Sequence, residues 1–471
     1  MNIGFVAAEV APYSKAGGLA DVAGSLPQAI SAYVSEVHVF TPLYGVIDAQ
    51  KHNIVVSGIE GSVCLGELDV PYSVYQIHAS KKGVKIWFIK SEKYFSRNGI
   101  YTDANGQGYE DNNQRFIFFQ LVVLDLLIRK QFKIDVLHCN DHHTGLLPSL
   151  IKAVGLKIRT VFTIHNFLYQ GHFSNVDRQL LPEGLYPFLT KTQWDNYSAL
   201  LEGVDHAHLV NTVSPGYAQE LLDGNDLDEH SLSRIRSASK RFSGIINGID
   251  METWNPSSDS YTPFHFSIDS LAGKAENKRE LLKITGLDSD LNAPVLGSIS
   301  RLVENKGFLL ILEILDEFVA QGAKFIFLGS GDPGIAKQLH SASQKHPGRI
   351  AFDNGYNEPL AHLIESGCDM FLMPSRFEPC GLNQLYSLRY GTIPIVNKTG
   401  GLGDTVQNWK LNSGTGFVFE PYSADMLRAA LARALTTFKN KAEWATLVRR
   451  AMLQNYSWDQ SAKKYIELYQ S

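Results

Sequence analysis

Asn2-Ile3-Gly4-Phe5-Val6-Ala7-Ala8-Glu9, followed by Lys15-Ala16-Gly17-Gly18-Leu19-Ala20-Asp21, is the stretch that decides the fold. A short apolar run reads as a buried strand, the glycine pair as a turn, and the apolar pattern that ends near Ala32 as a helix. Strand, glycine turn and helix in that order open a parallel α/β sheet. Amides at the start of a helix, with a lysine beside them, suit a phosphate. Alone, the same loop fits a plain strand-to-helix turn with a surface lysine equally well.

Moving outward, apolar runs rich in β-branched residues alternate with helical patterns: 3–7, 37–40, 84–89, 136–139, 160–164 and 208–213 are predicted strands. A second series starts near Pro294, with strands expected at 295–299, 324–328, 350–352, 370–373 and 393–396. Between the two series, Asn247-Gly248-Ile249-Asp250 and Trp254-Asn255-Pro256 carry the Asn-Gly and Asn-Pro dipeptides of turns and mark a hinge. The expectation is two doubly wound domains facing each other across a cleft, with ligand groups at the carboxyl ends of the strands. The charged stretch 221–240, poor in aromatics, reads as a mobile surface helix or loop.

Composition narrows the function. At 471 residues the chain exceeds what one core usually supports. With 48 acidic against 43 basic residues and no basic block, it lacks the electrostatic footprint of a nucleic-acid binder. Cys64, Cys139, Cys368 and Cys380 are scattered, which disfavours a disulfide framework or a zinc site and favours a reducing cytosol. The start lacks the basic residues and long apolar run of a secretory leader. The stretch 116–128, broken by Gln120 and Asp125, is too short to cross a membrane and reads as a core helix.

Polar clusters then fall at strand ends. Asn140-Asp141-His142-His143 follows one strand and His165-Asn166 the next; the adjacent histidines point apart more readily than they chelate one ion, so hydrogen bonding is favoured over a metal. In Ser300-Arg301-Leu302-Val303-Glu304-Asn305-Lys306-Gly307, a turn can fold two cations toward one point, where they could neutralise a departing diphosphate in place of a metal; by itself the run also fits a solvated basic turn. Glu378-Pro379-Cys380-Gly381-Leu382-Asn383-Gln384 and Thr399-Gly400-Gly401 each open a helix. Gly329-Ser330-Gly331-Asp332-Pro333-Gly334, with Asp353 beyond it, has the spacing of a dinucleotide fingerprint, but Asp332-Pro333 puts a carboxylate and a missing N–H where a pyrophosphate would dock. An NAD-dependent enzyme is the weaker reading.

Together, the Lys15 loop, Asp141, His165-Asn166, the Asn247 hinge, the run 301–307, the run 378–382 and the run 399–402 resemble the glycogen synthase and starch synthase family over nearly the whole chain. The resemblance implies a GT-B fold: a starch synthase catalytic domain at 1–243, a nucleotide-sugar domain at 244–457, and a C-terminal helix at 458–471 returning to the first domain. It implies transfer of glucose, with retention, from ADP-glucose to the nonreducing end of an α-1,4-glucan or maltooligosaccharide, in the cytoplasm (or a plastid, had a transit peptide been removed), without metal or cofactor. UDP-glucose is the alternative donor. Another retaining GT-B enzyme with a small acceptor and a non-catalytic glucan-binding or priming protein are the alternative functions.

By the same resemblance, His165, Asp141, Arg301, Lys306 and Glu378 carry catalysis. Lys15, Gly17, Gly18, Asp21, Asn247, Tyr356, Cys380, Gly381, Leu382, Asn383, Thr399, Gly400 and Gly401 belong to the donor, with Tyr356 stacking on adenine. Tyr101, Asn166 and His142 lie toward the acceptor. The sequence departs from the family at His142, where members often carry tryptophan, and at Asn383, where bacterial members often carry a hydroxyl residue.

Overall fold

The computed structural model describes residues 1–471 apart from 78–82, 193–195, 226 and 411–412. The chain forms two compact units: Met1–Gly248 with Trp458–Ser471, and Ile249–Ser457. The division falls a few residues beyond the expected 243/244 boundary because residues up to Gly244 complete the first sheet.

That sheet contains β1 (Asn2–Val6), β2 (Glu36–Pro42), β3 (Ile54–Leu65), β4 (Leu68–Ile77), β5 (Val84–Lys90), β6 (Val136–Asn140) and β7 (Arg159–Ile164). A small antiparallel pair, β8 (His172–Phe173) and β9 (Tyr197–Ser198), stands apart, and β10 (Leu209–Thr212) and β11 (Phe242–Gly244) finish the series. The order is β11-β10-β7-β6-β1-β2-β5-β4-β3. Every pairing is parallel except those of the β3–β4 hairpin and of β4 with β5. The chain winds outward from β1 through β2 and β5, then returns to lay β6 against the other side of β1. The predicted parallel strands are all present, since strands covered on both faces read as nearly continuous apolar runs.

The helix Asn112–Ile128 packs in this unit, and its two interrupting polar residues have partners. Gln120 Oε1 accepts the Leu146 N–H at 2.7 Å, and Asp125 accepts the Tyr72 hydroxyl. Among the described residues no helix is long and apolar enough to cross a membrane. The C-terminal helix Trp458–Gln470 buries Trp458, Ala462, Tyr465 and Tyr469 in one core with Leu19, Val22 and Leu26 of the first helix. His138 Nδ1 meets the Tyr469 hydroxyl at 2.8 Å, and Asn211 donates to the Tyr465 hydroxyl at 3.1 Å.

In the second unit, β12 (Val295–Ile299), β13 (Lys324–Leu328), β14 (Ile350–Asp353), β15 (Met370–Met373), β16 (Ile393–Asn397) and β17 (Phe417–Phe419) form a sheet ordered β14-β13-β12-β15-β16-β17. All its pairings are parallel. Here too the chain reverses direction about a first strand, with β13 on one side of β12 and β15 on the other.

Within the stretch 221–240, the described residues include the expected helix, but it is anchored by buried side chains. The helix, Glu229–Ser237, buries Ile235 and Arg234. The Arg234 guanidinium contacts Glu202 at 3.0 Å and Asp205 at 2.6 Å. Glu202 is 0% exposed, so Arg234→Ala would remove its charged partner from a buried carboxylate and leave it, among the described residues, only the Thr190 N–H and His206. We expect a loss of about 3–5 kcal/mol, read as an earlier urea transition, with part of it recovered when Glu202→Gln is added.

Candidate functional site

Each sheet reverses its winding direction between two parallel strands, and the residues beyond those strand ends carry most of the expected chemistry. In the first unit the strands are β1 and β6. Asn140, the last residue of β6, donates from Nδ2 to the Val6 carbonyl at the end of β1, at 3.0 Å. That orientation leaves Asn140 Oδ1 as an acceptor facing His165 Nε2 at 2.9 Å. The His165 ring must therefore donate from Nε2, which leaves Nδ1 as the acceptor. Burial holds the His165 imidazole down at about 3, so it is neutral near neutral pH.

Asp141 follows with φ 57°, an uncommon left-handed backbone for a non-glycine residue. Its carboxylate accepts the His165 N–H at 2.7 Å and the Asn166 N–H at 3.4 Å, tying the end of β6 to the turn after β7. Burial pushes Asp141 up to about 7, against the downward pull of those two amides. Asn166 turns its own Oδ1 onto the Leu168 N–H at 3.0 Å.

Tyr101, His143 and His142 form a ladder of rings. Tyr101 and His143 stack with centroids 4.9 Å apart, and His143 and His142 lie 3.7 Å apart. Burial lowers His142 to about 4 and His143 well below its ordinary value.

The Lys15 loop differs from its simplest reading. The helix starts at Gly18, but the Ala16 and Gly17 amides are already taken by the Glu9 carboxylate, at 2.5 and 2.9 Å. Lys15 pairs with Asp21 at 2.7 Å. Glu9 is 3% exposed, and its other oxygen accepts the Tyr101 hydroxyl at 3.1 Å. Glu9 was missed as a site residue, and Asn140 was read only as part of the strand-end cluster, although both are polar residues at or beyond the carboxyl ends of parallel strands.

In the second unit the two strands are β12 and β15. Lys306, on the turn after β12, meets Glu378, on the turn after β15, at 2.5 Å. Ser375 adds its hydroxyl to the same carboxylate oxygen at 3.1 Å. Two glycines permit this closeness. Gly307 has φ 77°, and a Cβ there would lie 2.1 Å from the Pro374 carbonyl oxygen; Gly400 has φ 38°, and its Cβ would lie 2.2 Å from the Glu378 carbonyl oxygen. The Gly401 N–H donates to the Glu378 and Pro379 carbonyls at 3.2 and 3.1 Å, so the Thr399-Gly400-Gly401 turn seats directly on the Glu378 turn.

Arg301 is exposed on the same turn as Lys306. Cys380 is buried, and Cys380, Gly381 and Leu382 lead into the helix that starts at Asn383. The Asn383 side chain donates to the Ile299 carbonyl at 2.7 Å, which commits it to the end of β12. Tyr356 stands beyond β14, 76% exposed, with its hydroxyl on Glu358. Asn247, at the end of the first unit, is buried. The dinucleotide-like loop is closed to a phosphate: Asp332 Oδ1 accepts the Gly334 and Ile335 amides at 2.7 and 2.9 Å, so the protein's own carboxylate fills the helix N-terminus.

Residues 2–232 match the family model described as starch synthase catalytic domain, and residues 282–449 match that of glycosyl transferases group 1. A glycogen synthase from a strain of Anaeromyxobacter dehalogenans is 40% identical, with 100% of this chain and 99% of the relative covered. The chain belongs to the glycogen synthase and starch synthase family. Glycogen synthase 1 of Methylococcus capsulatus is 39% identical, covering 100% of this chain and 96% of that one. Among solved structures, the catalytic domain of starch synthase IV from Arabidopsis thaliana, bound to ADP and acarbose, superposes with a TM-score of 0.91 at 31% identity, covering 100% of this chain and 98% of that one. Sucrose-phosphate synthase from Thermosynechococcus elongatus shares the fold, with a TM-score of 0.62 at 15% identity. The chain thus has the GT-B fold of two Rossmann-like domains and is a glycosyltransferase of glycogen or starch synthesis.

The raised Asp141 carboxyl has a consequence for stability. Its stabilising contribution is complete below the unfolded value of about 3.9 and is lost as the pH rises through about 7. Asp141→Asn keeps an oxygen for the His165 amide without a charge. The variant should therefore be more stable than the parent at about pH 8, by up to a few kcal/mol, with the difference shrinking toward about pH 4. Thermal melts across that range would show it; a constant difference at all pH values would count against a buried, titrating Asp141.

Proposed function

We propose that the chain transfers glucose from ADP-glucose to the nonreducing end of an α-1,4-glucan, with retention of anomeric configuration. The observation that carries this reading is the Lys306–Glu378 pair, held between the ends of β12 and β15 with Arg301 on the same turn. A diphosphate needs concentrated positive charge as it departs, and a donor glucose needs a carboxylate for its hydroxyls. The paired residues supply one of each. Without donor, each neutralises the other; an arriving diphosphate competes for the Lys306 ammonium and leaves the Glu378 carboxylate for the sugar.

Arg301 adds a fixed positive charge, and the turn at Cys380, Gly381 and Leu382, with Thr399, Gly400 and Gly401, adds backbone groups to the phosphate seat. Tyr356, with its exposed ring, is assigned to the adenine. Lys15, Gly17, Gly18, Asp21 and Asn247 are assigned to the donor as well. His165 is neutral and fixed through Asn140, so it acts as an oriented dipole beside the anomeric carbon and not as a proton donor. Asp141 holds the His165-Asn166 backbone, and Tyr101, Asn166 and His142 serve the acceptor. The acceptor hydroxyl enters on the face from which ADP leaves, and the protein's work is positioning and charge stabilisation.

Lys306→Ala and Arg301→Ala should each lower kcat by about 10²–10³-fold in a folded protein, measured as radiolabelled glucose entering glycogen. Near-normal turnover in both would overturn the assignment. Offering ADP-glucose and UDP-glucose, each with maltooligosaccharides or glycogen, separates donor and acceptor classes; ADP-glucose with a glucan is the expected productive pair, and no transfer from any pair would point to a binding or priming role.

A further inference from the structure

Glu9 belongs to none of the roles above, yet it touches two of the groups assigned to them. One carboxylate oxygen holds the Ala16 and Gly17 amides at 2.5 and 2.9 Å; the other accepts the Tyr101 hydroxyl at 3.1 Å. The residue is 3% exposed, so these three donors stand in for its lost hydration. We propose that Glu9 is a positioning residue that fastens the donor-side Lys15 loop and the acceptor-side Tyr101 to one carboxylate, so that both depend on this one side chain.

The surroundings favour such a link. A glycine-rich loop has wide conformational freedom, and Gly17 and Gly18 have no side chains to anchor it. With two successive amides fixed on Glu9, the chain enters the helix at Gly18 in one conformation, with Lys15 directed to Asp21 at 2.7 Å. Tyr101 is fixed from both ends, by its ring on His143 and its hydroxyl on Glu9. The amides and the hydroxyl are all donors to one carboxylate, so removing any of them leaves the others to redistribute. Burial raises the Glu9 carboxyl, while the two amides and the Tyr101 hydroxyl oppose that shift.

This inference rests on the glucan synthase reading only for the names of the two substrates. Steady-state kinetics of the full chain, with whichever sugar nucleotide the parent uses, compares Glu9→Ala, Glu9→Gln, Tyr101→Phe and Glu9→Ala with Tyr101→Phe. Glu9→Ala should raise KM for both donor and acceptor about tenfold. Glu9→Gln, whose carboxamide oxygen still accepts both loop amides, should restore the donor KM. Tyr101→Phe should move the acceptor KM alone, and adding it to Glu9→Ala should cost less than it does in the parent.

Hydrogen exchange provides a readout free of turnover: Glu9→Ala should lose protection both at residues 16–17 and around residue 101, and Glu9→Gln should keep it at 16–17. Strictly additive effects on KM, or protection lost at one segment only, would overturn the link. A parent that transfers no glucose from any donor would overturn the functional reading instead, and hydrogen exchange would still decide the link.

Discussion

A parallel sheet that winds in both directions from a central strand leaves two neighbouring strand ends whose chains depart to opposite faces, and nothing in the sheet itself fills the space above them. Both units of this protein are built around that constraint. Above β1 and β6, and above β12 and β15, polar groups must face one another, and each must find a partner within the protein or in a ligand. Side chains bridge both places: Asn140 reaches the Val6 carbonyl, Asn383 reaches the Ile299 carbonyl, and Lys306 meets Glu378. The first two bridges fix the frame. The third joins opposite charges that a charged ligand could separate.

What was legible in the sequence follows from the same geometry. Parallel strands read as largely apolar runs, so β1, β2, β5, β6, β7 and β10, and five of the six strands of the second sheet, β12 to β16, could be read directly. The β3–β4 hairpin could not: most of β3 is exposed or half-buried, and the chain there shows no continuous apolar run. The helix around Arg234 was legible as one of two alternatives, but the burial of its arginine was not, because its partners Glu202 and Asp205 lie earlier in the sequence. Strand-end motifs were legible as clusters of residue types. Their partners were not, because Glu9 holds its neighbours through backbone amides and Asn140 acts through a carbonyl of another strand, and neither kind of bond leaves a mark in residue identity.

The histidines show how burial selects among chemistries that the sequence left open. His142, His143 and His165 all lie in or beside the first unit's site, and each is driven toward its neutral form by loss of water. Neutral imidazoles are also good metal ligands, so neutrality alone does not choose. Geometry does more: His165 has committed Nε2 to Asn140, the His142 ring lies 3.7 Å from that of His143 at a tilt of 35°, and Tyr101 stacks on His143.

Charge is then concentrated in the second unit, where an ammonium and a carboxylate are already in contact. Pairing them has an electrostatic logic: two half-buried ions left apart would each bear a desolvation cost, while together they share it until a ligand replaces each with a better partner. A diphosphate, with several oxygens and more than one negative charge, competes for Lys306 better than a single carboxylate can. Freed in the same event, Glu378 remains beside Ser375 and the Gly400-Gly401 turn, at the place where hydroxyl groups of a sugar could use it. On the proposed reading, donor arrival prepares the sugar's binding group without a separate switch, and the pair spares the protein the cost of two unpaired charges until then.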